Sequence, residues 1–98
     1  MLHIVNKSPL TSNTLDSCLS AATGGDILLI EDAVYAATRG SAVEAKLRAA
    51  MGQFRVHVLL PDFEARGLGD RLVEGVLPVD YAGFVDLAAN NKTCQSWL

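Results

Sequence analysis

The sequence lacks several features that define large classes of proteins. It has two cysteines, Cys18 and Cys94, and no Cys-x-x-Cys pair, which is too few for a disulfide scaffold. No cysteine and histidine spacing resembles a zinc site. No apolar run approaches the roughly 18 residues that span a bilayer, and the first residues lack the order of a signal peptide. We therefore expect a cytoplasmic chain that does not contact membranes and keeps both cysteines as thiols.

Clustered positive charge is also missing. The eight Lys and Arg residues are scattered and the formal net charge is −3, which argues against nucleic acid as a direct partner. A nucleotide-binding loop is not predicted either, because Gly24-Gly25-Asp26 precedes a predicted strand, whereas a phosphate loop follows one. These glycines instead predict the end of a helix. We expect no metal and no organic cofactor.

Charged residues are scarce, and two interpretations of this remain open. They make up 19% of the chain, against a usual value of about 25%, while apolar residues make up 50%. The excess apolar surface could be buried against another subunit. Alternatively, it fills an ordinary core with alanine-rich helices, since thirteen of the apolar residues are alanine.

Strand-like and helix-like runs alternate along the chain as β-α-β-α-β-α-β-α-β. Short apolar runs predict strands, and apolar residues spaced i, i+3, i+4 predict helices. The predicted strands are 2–5, 27–30, 54–60, 76–79 and 93–98; the predicted helices are 15–22, 42–51, 61–66 and 81–90, with a short helical turn at 34–38. Right-handed crossovers then give a three-layer α/β/α fold with a mainly parallel sheet of about five strands, as in flavodoxin-like layering. We interpret residues 1–98 as a single domain.

Three helix starts carry predicted caps. Ser12 or a neighbour is placed to cap the first helix, and Asp80 the last. Ser41 with Glu44 has the spacing of a capping box.

Binding sites in open parallel sheets form beyond the carboxyl ends of the strands. The polar residues expected at that edge are Asn6-Lys7-Ser8, Glu31-Asp32, Pro61-Asp62 and Asp80-Tyr81. The carboxylates of Glu31-Asp32 fit an acid–base pair or a cation site, but they equally fit solvated charges that start a helix. His3 and His57 fall inside predicted strands, so we expect neutral, hydrogen-bonded core histidines.

Cys18 lies on the apolar stripe of the first predicted helix. A free cysteine at such a position is often a small buried hydrophobe. A reactive thiol would need a thiolate stabilised by a cation, such as Lys7 or Arg39. Spacing does not decide between the two roles. Cys94 lies near the carboxyl end, where exposure is easier, and its flanking residues Thr93, Gln95 and Ser96 carry no charge.

Several longer segments of the chain are more specific than any single short motif. They are Met1-Leu2-His3-Ile4-Val5-Asn6-Lys7-Ser8-Pro9, Asp16-Ser17-Cys18-Leu19, Gly25–Ala37, Asp62-Phe63-Glu64-Ala65-Arg66-Gly67-Leu68 and Val79–Leu87. These segments resemble DsrH/TusB proteins, the DsrH type of DsrE-like sulfur-relay subunits, and the resemblance covers nearly the whole chain in the expected order.

The resemblance implies a subunit of a sulfurtransferase complex. Such chains assemble with DsrE/TusD-like and DsrF/TusC-like subunits into a heterohexamer, which relays persulfide sulfur to a DsrC/TusE-like carrier. The Dsr branch acts in cytoplasmic sulfur oxidation, and the Tus branch in 2-thiolation of the tRNA wobble uridine. The isolated chain could also form homo-oligomers.

Cys18 falls where Dsr-type subunits tend to carry a cysteine, which favours the sulfur-oxidation branch and makes Cys18 a candidate sulfur acceptor. The principal acceptor of these complexes lies in the DsrE/TusD-like chain. The alternative is therefore a non-catalytic structural subunit of a TusBCD-like complex. A third hypothesis is an unrelated small-ligand module that uses the carboxyl-end edge of the sheet.

Overall fold

The computed structural model describes residues 1–97, so the last residue of the predicted terminal strand, Leu98, lies outside the described residues. The strands are β1 (Leu2–Val5), β2 (Gly25–Leu29), β3 (Phe54–Leu59), β4 (Leu77–Val79) and β5 (Cys94–Trp97). The α-helices are α1 (Thr14–Ala21), α2 (Glu44–Ala50), α3 (Leu60–Ala65) and α4 (Tyr81–Asn90), and a 3-10 helix covers Glu31–Ala37.

Within residues 1–97 the strands form one five-stranded sheet in the order β4-β3-β2-β1-β5. Every neighbouring pair is parallel, as crossover connections through helices require. The predicted α/β fold with a parallel sheet of about five strands is thus confirmed. Pro78 sits in β4, an edge strand, where its missing N–H is tolerated.

One face of the sheet carries most of the core. Strand alternation turns Ile27 and Leu29 of β2 and Val56 and Val58 of β3 to the same side. The 3-10 helix and helices α1, α2 and α3 contribute to the same buried cluster. Phe63 of α3 is its largest fully buried side chain within residues 1–97.

The opposite face is covered more thinly. Leu2 and Leu28 are fully buried there, next to the polar side chains of Asp26 and His57. Helix α4 lies over this face, yet none of its ten described residues is buried. The two helical layers are therefore very unequal.

Gly25 allows the close approach of β1 and β2. Its φ is +109°, and a Cβ at this position would lie 2.6 Å from the Met1 carbonyl oxygen. The Asp26 N–H donates to that same oxygen at 3.1 Å. Helix α1 already ends at Ala21, with Ala22 as its C-cap in an extended conformation, so Gly24-Gly25 lies beyond the helix end that it was predicted to form, and Gly25 instead sets where Asp26 enters the sheet.

The cap at Asp80 is confirmed, whereas the capping box is wrong. Asp80 Oδ1 accepts the Gly83 N–H at 2.8 Å. Helix α2 begins only at Glu44, so Ser41 precedes the N-cap position, and its buried Oγ has no hydrogen-bond partner within residues 1–97. Glu44 still folds back, but its Oε1 accepts the Gly40 N–H at 2.6 Å.

The first helix also starts differently from the prediction. Asn13 occupies its N-cap position without a side-chain cap, and Ser12 Oγ accepts the Thr14 N–H at 3.3 Å. Among residues 1–97, no helix combines the length and the apolarity needed to cross a membrane.

Candidate functional site

Cys18 lies on the buried side of α1, and its exposed fraction is 0%. It belongs to the main core cluster together with Leu15 of the same helix and Val5 of β1. Burial raises the pKa of the Cys18 thiol from 9.0 to about 11. Because thiolates are the nucleophilic form, Cys18 is a protonated, shielded thiol in this conformation.

Neither of the two cations considered for Cys18, Lys7 and Arg39, is placed to stabilise its thiolate in this structure. Arg39 directs its guanidinium to the Asp70 carbonyl oxygen at 2.5 Å, and Lys7 is exposed at the surface. The role of Cys18 as a sulfur acceptor stays a prediction. It would require α1 to move away from the sheet.

Cys94 is the accessible thiol. It is exposed at the start of β5, where it lies opposite Leu2 of β1 in the strand register. Strand β5 forms an edge of the sheet, so a partner molecule can reach this side chain.

The carboxyl-end edge of the sheet brings together residues from two predicted segments. Glu31 adopts a left-handed backbone conformation with a φ of 49°, and its N–H donates to Asp62 Oδ2 at 2.7 Å. Arg66 Nη2 donates to Asp32 Oδ1 at 2.9 Å. These carboxylates tie the 3-10 helix to α3. The geometry thus accounts for them as groups that hold the ends of β2 and β3 together.

A polar cluster that the sequence analysis did not identify lies on the α4 face. The Asp26 carboxylate accepts four hydrogen bonds or ion-pair contacts. His57 Nε2 lies 3.0 Å from Oδ1, and Arg55 Nε lies 3.0 Å from the same oxygen. Arg55 Nη2 and Asn91 Nδ2 each lie 3.3 Å from Oδ2. The cluster joins β2, β3 and the residue that follows α4.

The contacts explain the electrostatics of Asp26. Burial would by itself raise the pKa of this carboxyl group, but hydrogen bonds from His57 and Asn91 and the positive charge of Arg55 outweigh it. The pKa of Asp26 is therefore held below its ordinary value, and the carboxylate is ionised at neutral pH.

The ionised Asp26 also determines which ring nitrogen of His57 carries a proton. A carboxylate only accepts hydrogen bonds, so His57 Nε2 carries the proton. Nδ1 of His57 is buried and has no hydrogen-bond partner among residues 1–97. The predicted hydrogen-bonded core histidine is confirmed for one ring nitrogen only.

His3 matches the expectation more fully. Its Nδ1 accepts a hydrogen bond from Trp97 Nε1 at 3.2 Å. Burial and then the nearby N-terminal charge lower the pKa of His3, against the raising effect of a backbone contact to Gly24. His3 also lines a cavity of about 380 Å³ between the end of α1 and strands β1 and β5.

A second cavity of about 330 Å³, the α4 groove, lies between α4 and strands β3 and β4. Asp26 and His57 line it together with Arg55, and Leu77 and Leu87 supply apolar side chains. The i, i+2 spacing of Arg55 and His57 in one strand was a readable signal, because it places both on one face. Within residues 1–97, no group of three or more His, Cys, Asp or Glu side chains is arranged to hold a metal ion.

Solved structures support the fold. The crystal structure of the ychN protein from E. coli superposes with a TM-score of 0.84 at 20% identity, covering 97% of each chain. The protein of unknown function MTH1491 from Methanobacterium thermoautotrophicum gives a TM-score of 0.69 at 19% identity, over 97% of this chain and 95% of that one. At such identities the likeness shows the fold only.

Sequence comparisons identify the family. A model described as "DsrH like protein" matches residues 7–94. Protein TusB from Escherichia coli O1:K1 is 32% identical over 97 residues, covering 99% of this chain and 100% of the relative. Protein TusB from Shigella flexneri is 31% identical with the same coverage. Because the family model and these relatives both span almost the whole chain, the protein belongs to the DsrH/TusB family.

Proposed function

We propose that this chain is a subunit of a cytoplasmic sulfur-relay complex of the DsrEFH/TusBCD type. The complex relays persulfide sulfur to a DsrC/TusE-like carrier, and the partners of this chain are DsrE/TusD-like and DsrF/TusC-like subunits. The observation that carries the proposal is the family match over residues 7–94.

Within such a complex, the burial of Cys18 favours a positioning role for this chain. A thiol with 0% exposure and a pKa of about 11 offers neither access nor thiolate to a donor persulfide. The chain would then orient the subunit that carries sulfur. A role for Cys18 as auxiliary acceptor needs a change in α1 on assembly.

The two branches of the family draw support from different observations. A cysteine in the first helix favours the sulfur-oxidation branch, to which we assign the chain on that ground. The relatives named TusB, at 31–32% identity over 97 residues, favour the tRNA 2-thiolation branch as the second candidate. The carrier protein that accepts sulfur from the complex decides between them.

Reconstitution tests the proposal. The chain is co-expressed with one DsrE/TusD-like and one DsrF/TusC-like subunit, and we expect all three to elute as one assembly. The assembly is then incubated with a persulfide donor, and peptide mass spectrometry locates added sulfur, with Cys18→Ser as the matched control. Sulfur found on the partner subunit alone supports a positioning role, whereas sulfur on Cys18 supports the acceptor role. Failure of the three chains to assemble would contradict the proposed function.

A further inference from the structure

Among residues 1–97, α4 is the only helix on its side of the sheet. The connections from β1 through β4 step in one direction along the order β4-β3-β2-β1-β5, and right-handed crossovers place their helices on one face. The connection from β4 to β5 runs in the opposite direction, so the same handedness places α4 on the other face. Because β4 and β5 are the two edge strands, α4 has to cross the whole of this face.

Apolar packing attaches α4 to the sheet less firmly than it attaches the other helices. None of the ten residues of α4 is buried, and its side chains Phe84 and Leu87 are half-buried. Most of the stability of a helix in a protein comes from burying its apolar side against other elements. On the opposite face every α-helix buries at least one side chain: Leu15 and Cys18 in α1, Leu47 in α2 and Phe63 in α3.

A polar contact joins the carboxyl end of α4 to the sheet. Asn91, the C-cap residue, donates through Nδ2 to the Leu87 carbonyl oxygen at 2.8 Å and to Asp26 Oδ2 at 3.3 Å. Asp26 is 5% exposed and ionised, so one amide group connects the end of the helix to a buried charge on β2. A distance of 3.3 Å is long for an N–H···O hydrogen bond. The contact with Asp26 is therefore a weak restraint.

The amino end of α4 is fixed more firmly. Asp80 Oδ1 accepts the Gly83 N–H at 2.8 Å. Gly83 also packs closely on the end of β4, since a Cβ at this position would lie 3.0 Å from Val79 Cβ. We therefore expect α4 to leave the sheet from its carboxyl end.

The groups under α4 lower the cost of such a movement. Leu28 is 0% exposed on this face of β2, and its exposure to water is unfavourable. Asp26 and His57 line the α4 groove, and Nδ1 of His57 is buried without a hydrogen-bond partner among residues 1–97. A buried acceptor without a partner is destabilising. Entry of water under α4 would hydrate this nitrogen atom and Asp26, which offsets part of the cost of exposing Leu28.

We propose that α4 opens from the sheet as one unit while the rest of the chain stays folded, and that the contact between Asn91 and Asp26 restrains this opening. The helix thereby controls access to the face of the sheet that carries Asp26 and His57. The proposal goes beyond the proposed function, because it concerns the isolated chain and needs no partner. A helix of ten residues is marginal in water, so we expect α4 to unwind when it leaves the sheet.

Two adjacent positions on opposite faces of β2 test the opening. In a chain with Cys18→Ser and Cys94→Ser, Leu28→Cys places a thiol under α4, and Leu29→Cys places one in the main core; both leucines are 0% exposed. The native rate of labelling by iodoacetamide, divided by the rate in urea, gives the fraction of molecules in which each thiol is accessible. Urea denaturation of the same chains gives the fraction that is globally unfolded.

Local opening makes a thiol accessible without global unfolding. For Leu28→Cys we expect the accessible fraction to exceed the globally unfolded fraction by at least about tenfold. For Leu29→Cys the two fractions should agree within about threefold. Agreement of the two fractions in both variants would overturn the proposal, because α4 would then leave the sheet only when the whole chain unfolds.

Two adjacent asparagines test the restraint. Asn91→Ala removes the contact with Asp26, whereas Asn90→Ala removes a neighbouring, exposed asparagine that lines the same groove. In the Leu28→Cys chain we expect Asn91→Ala to raise the native labelling rate about threefold or more. Asn90→Ala should not raise it, since alanine favours the helix. An effect of Asn91→Ala no larger than that of Asn90→Ala would overturn the role of this contact.

Hydrogen exchange of the parent chain provides a measurement without cysteine variants. We expect the amides of residues 84–90 to exchange together, at least about tenfold faster than the slowest amides of β2 after correction for intrinsic rates. Fast exchange confined to residues 88–90 would show that the helix only frays at its end, and it would overturn the proposal. Protection of residues 84–87 equal to that of β2 would have the same consequence.

Discussion

Alkylation of the two cysteines tests the picture of Cys18 as a shielded thiol. Cys18 is 0% exposed, whereas Cys94 is exposed, so the alkylation rate of Cys94 provides the accessible reference for that of Cys18. The perturbation is removal of one thiol at a time, with Cys94→Ser reporting on Cys18 and Cys18→Ser reporting on Cys94. Iodoacetamide reacts with the thiolate, so its rate depends on both the access and the ionisation of each side chain.

The expected magnitude follows from the pKa of Cys18. Burial raises that pKa from 9.0 to about 11, which lowers the thiolate fraction near pH 8 by about 100-fold. The reagent does not reach a fully buried sulfur atom, so the reaction also requires local opening of α1, and this requirement lowers the alkylation rate further. In the Cys94→Ser chain we therefore expect native alkylation at least about 100-fold slower than in the urea-unfolded chain.

The assay is a time course of adduct formation, followed by intact-mass spectrometry under native and unfolding conditions. Cys94 in the Cys18→Ser chain serves as the accessible control and should react within about tenfold of its unfolded rate. A native Cys18 rate within about tenfold of the unfolded rate would refute the reasoning. Fast labelling that appears only in the assembled complex would instead indicate that partner binding moves α1.

The same shift predicts a loss of stability in alkali. The pKa of Cys18 is raised by folding, so its contribution is present below the unfolded value and is lost as pH rises through the folded value. Between about pH 9 and pH 11 the free energy of unfolding should fall by about 2–3 kcal/mol relative to a Cys18→Ala chain. Urea denaturation across this window measures the difference.

Three further substitutions probe the polar cluster, the last helix and the core. Asp26→Asn should lower the free energy of unfolding by about 1–3 kcal/mol at neutral pH. Folding lowers the pKa of Asp26, so the stabilisation by its carboxylate is present above the pKa of the unfolded chain and is lost as pH falls through the pKa of the folded chain. The free energy of unfolding of the variant, measured by urea titration, should therefore depend less on acid pH than that of the parent chain. Asp80→Ala removes the cap on Gly83 and should cost about 1 kcal/mol, seen as a lower urea midpoint without loss of the fold, and an unchanged midpoint would contradict the capping role. Phe63→Ala empties the centre of the core and should cost about 3–5 kcal/mol, measured by thermal or urea unfolding with Phe63→Leu as the milder control.

Some local features were predictable because short-range chemistry decides them. The last helix was predicted at 81–90 and is found at Tyr81–Asn90, since an apolar run follows a capping aspartate. The box at Ser41 and Glu44 failed for an equally local reason. A spacing of three residues does not show where helical geometry begins; here residues 39–40 and 42–43 form turns, and α2 begins only at Glu44.

By itself, the sequence determined the alternation of strands and helices, the parallel sheet and the family, because periodicity and long matching segments are written in the order of residues. The environment of each functional side chain was decided by the tertiary structure. Asp26 meets His57 across 31 positions and Asn91 across 65, distances in sequence that no local pattern spans. The same holds for Cys18, since a stripe on a helix becomes a buried, protonated thiol only when the sheet closes against it. Likewise, only the tertiary structure shows that none of the ten residues of the apolar helix α4 is buried.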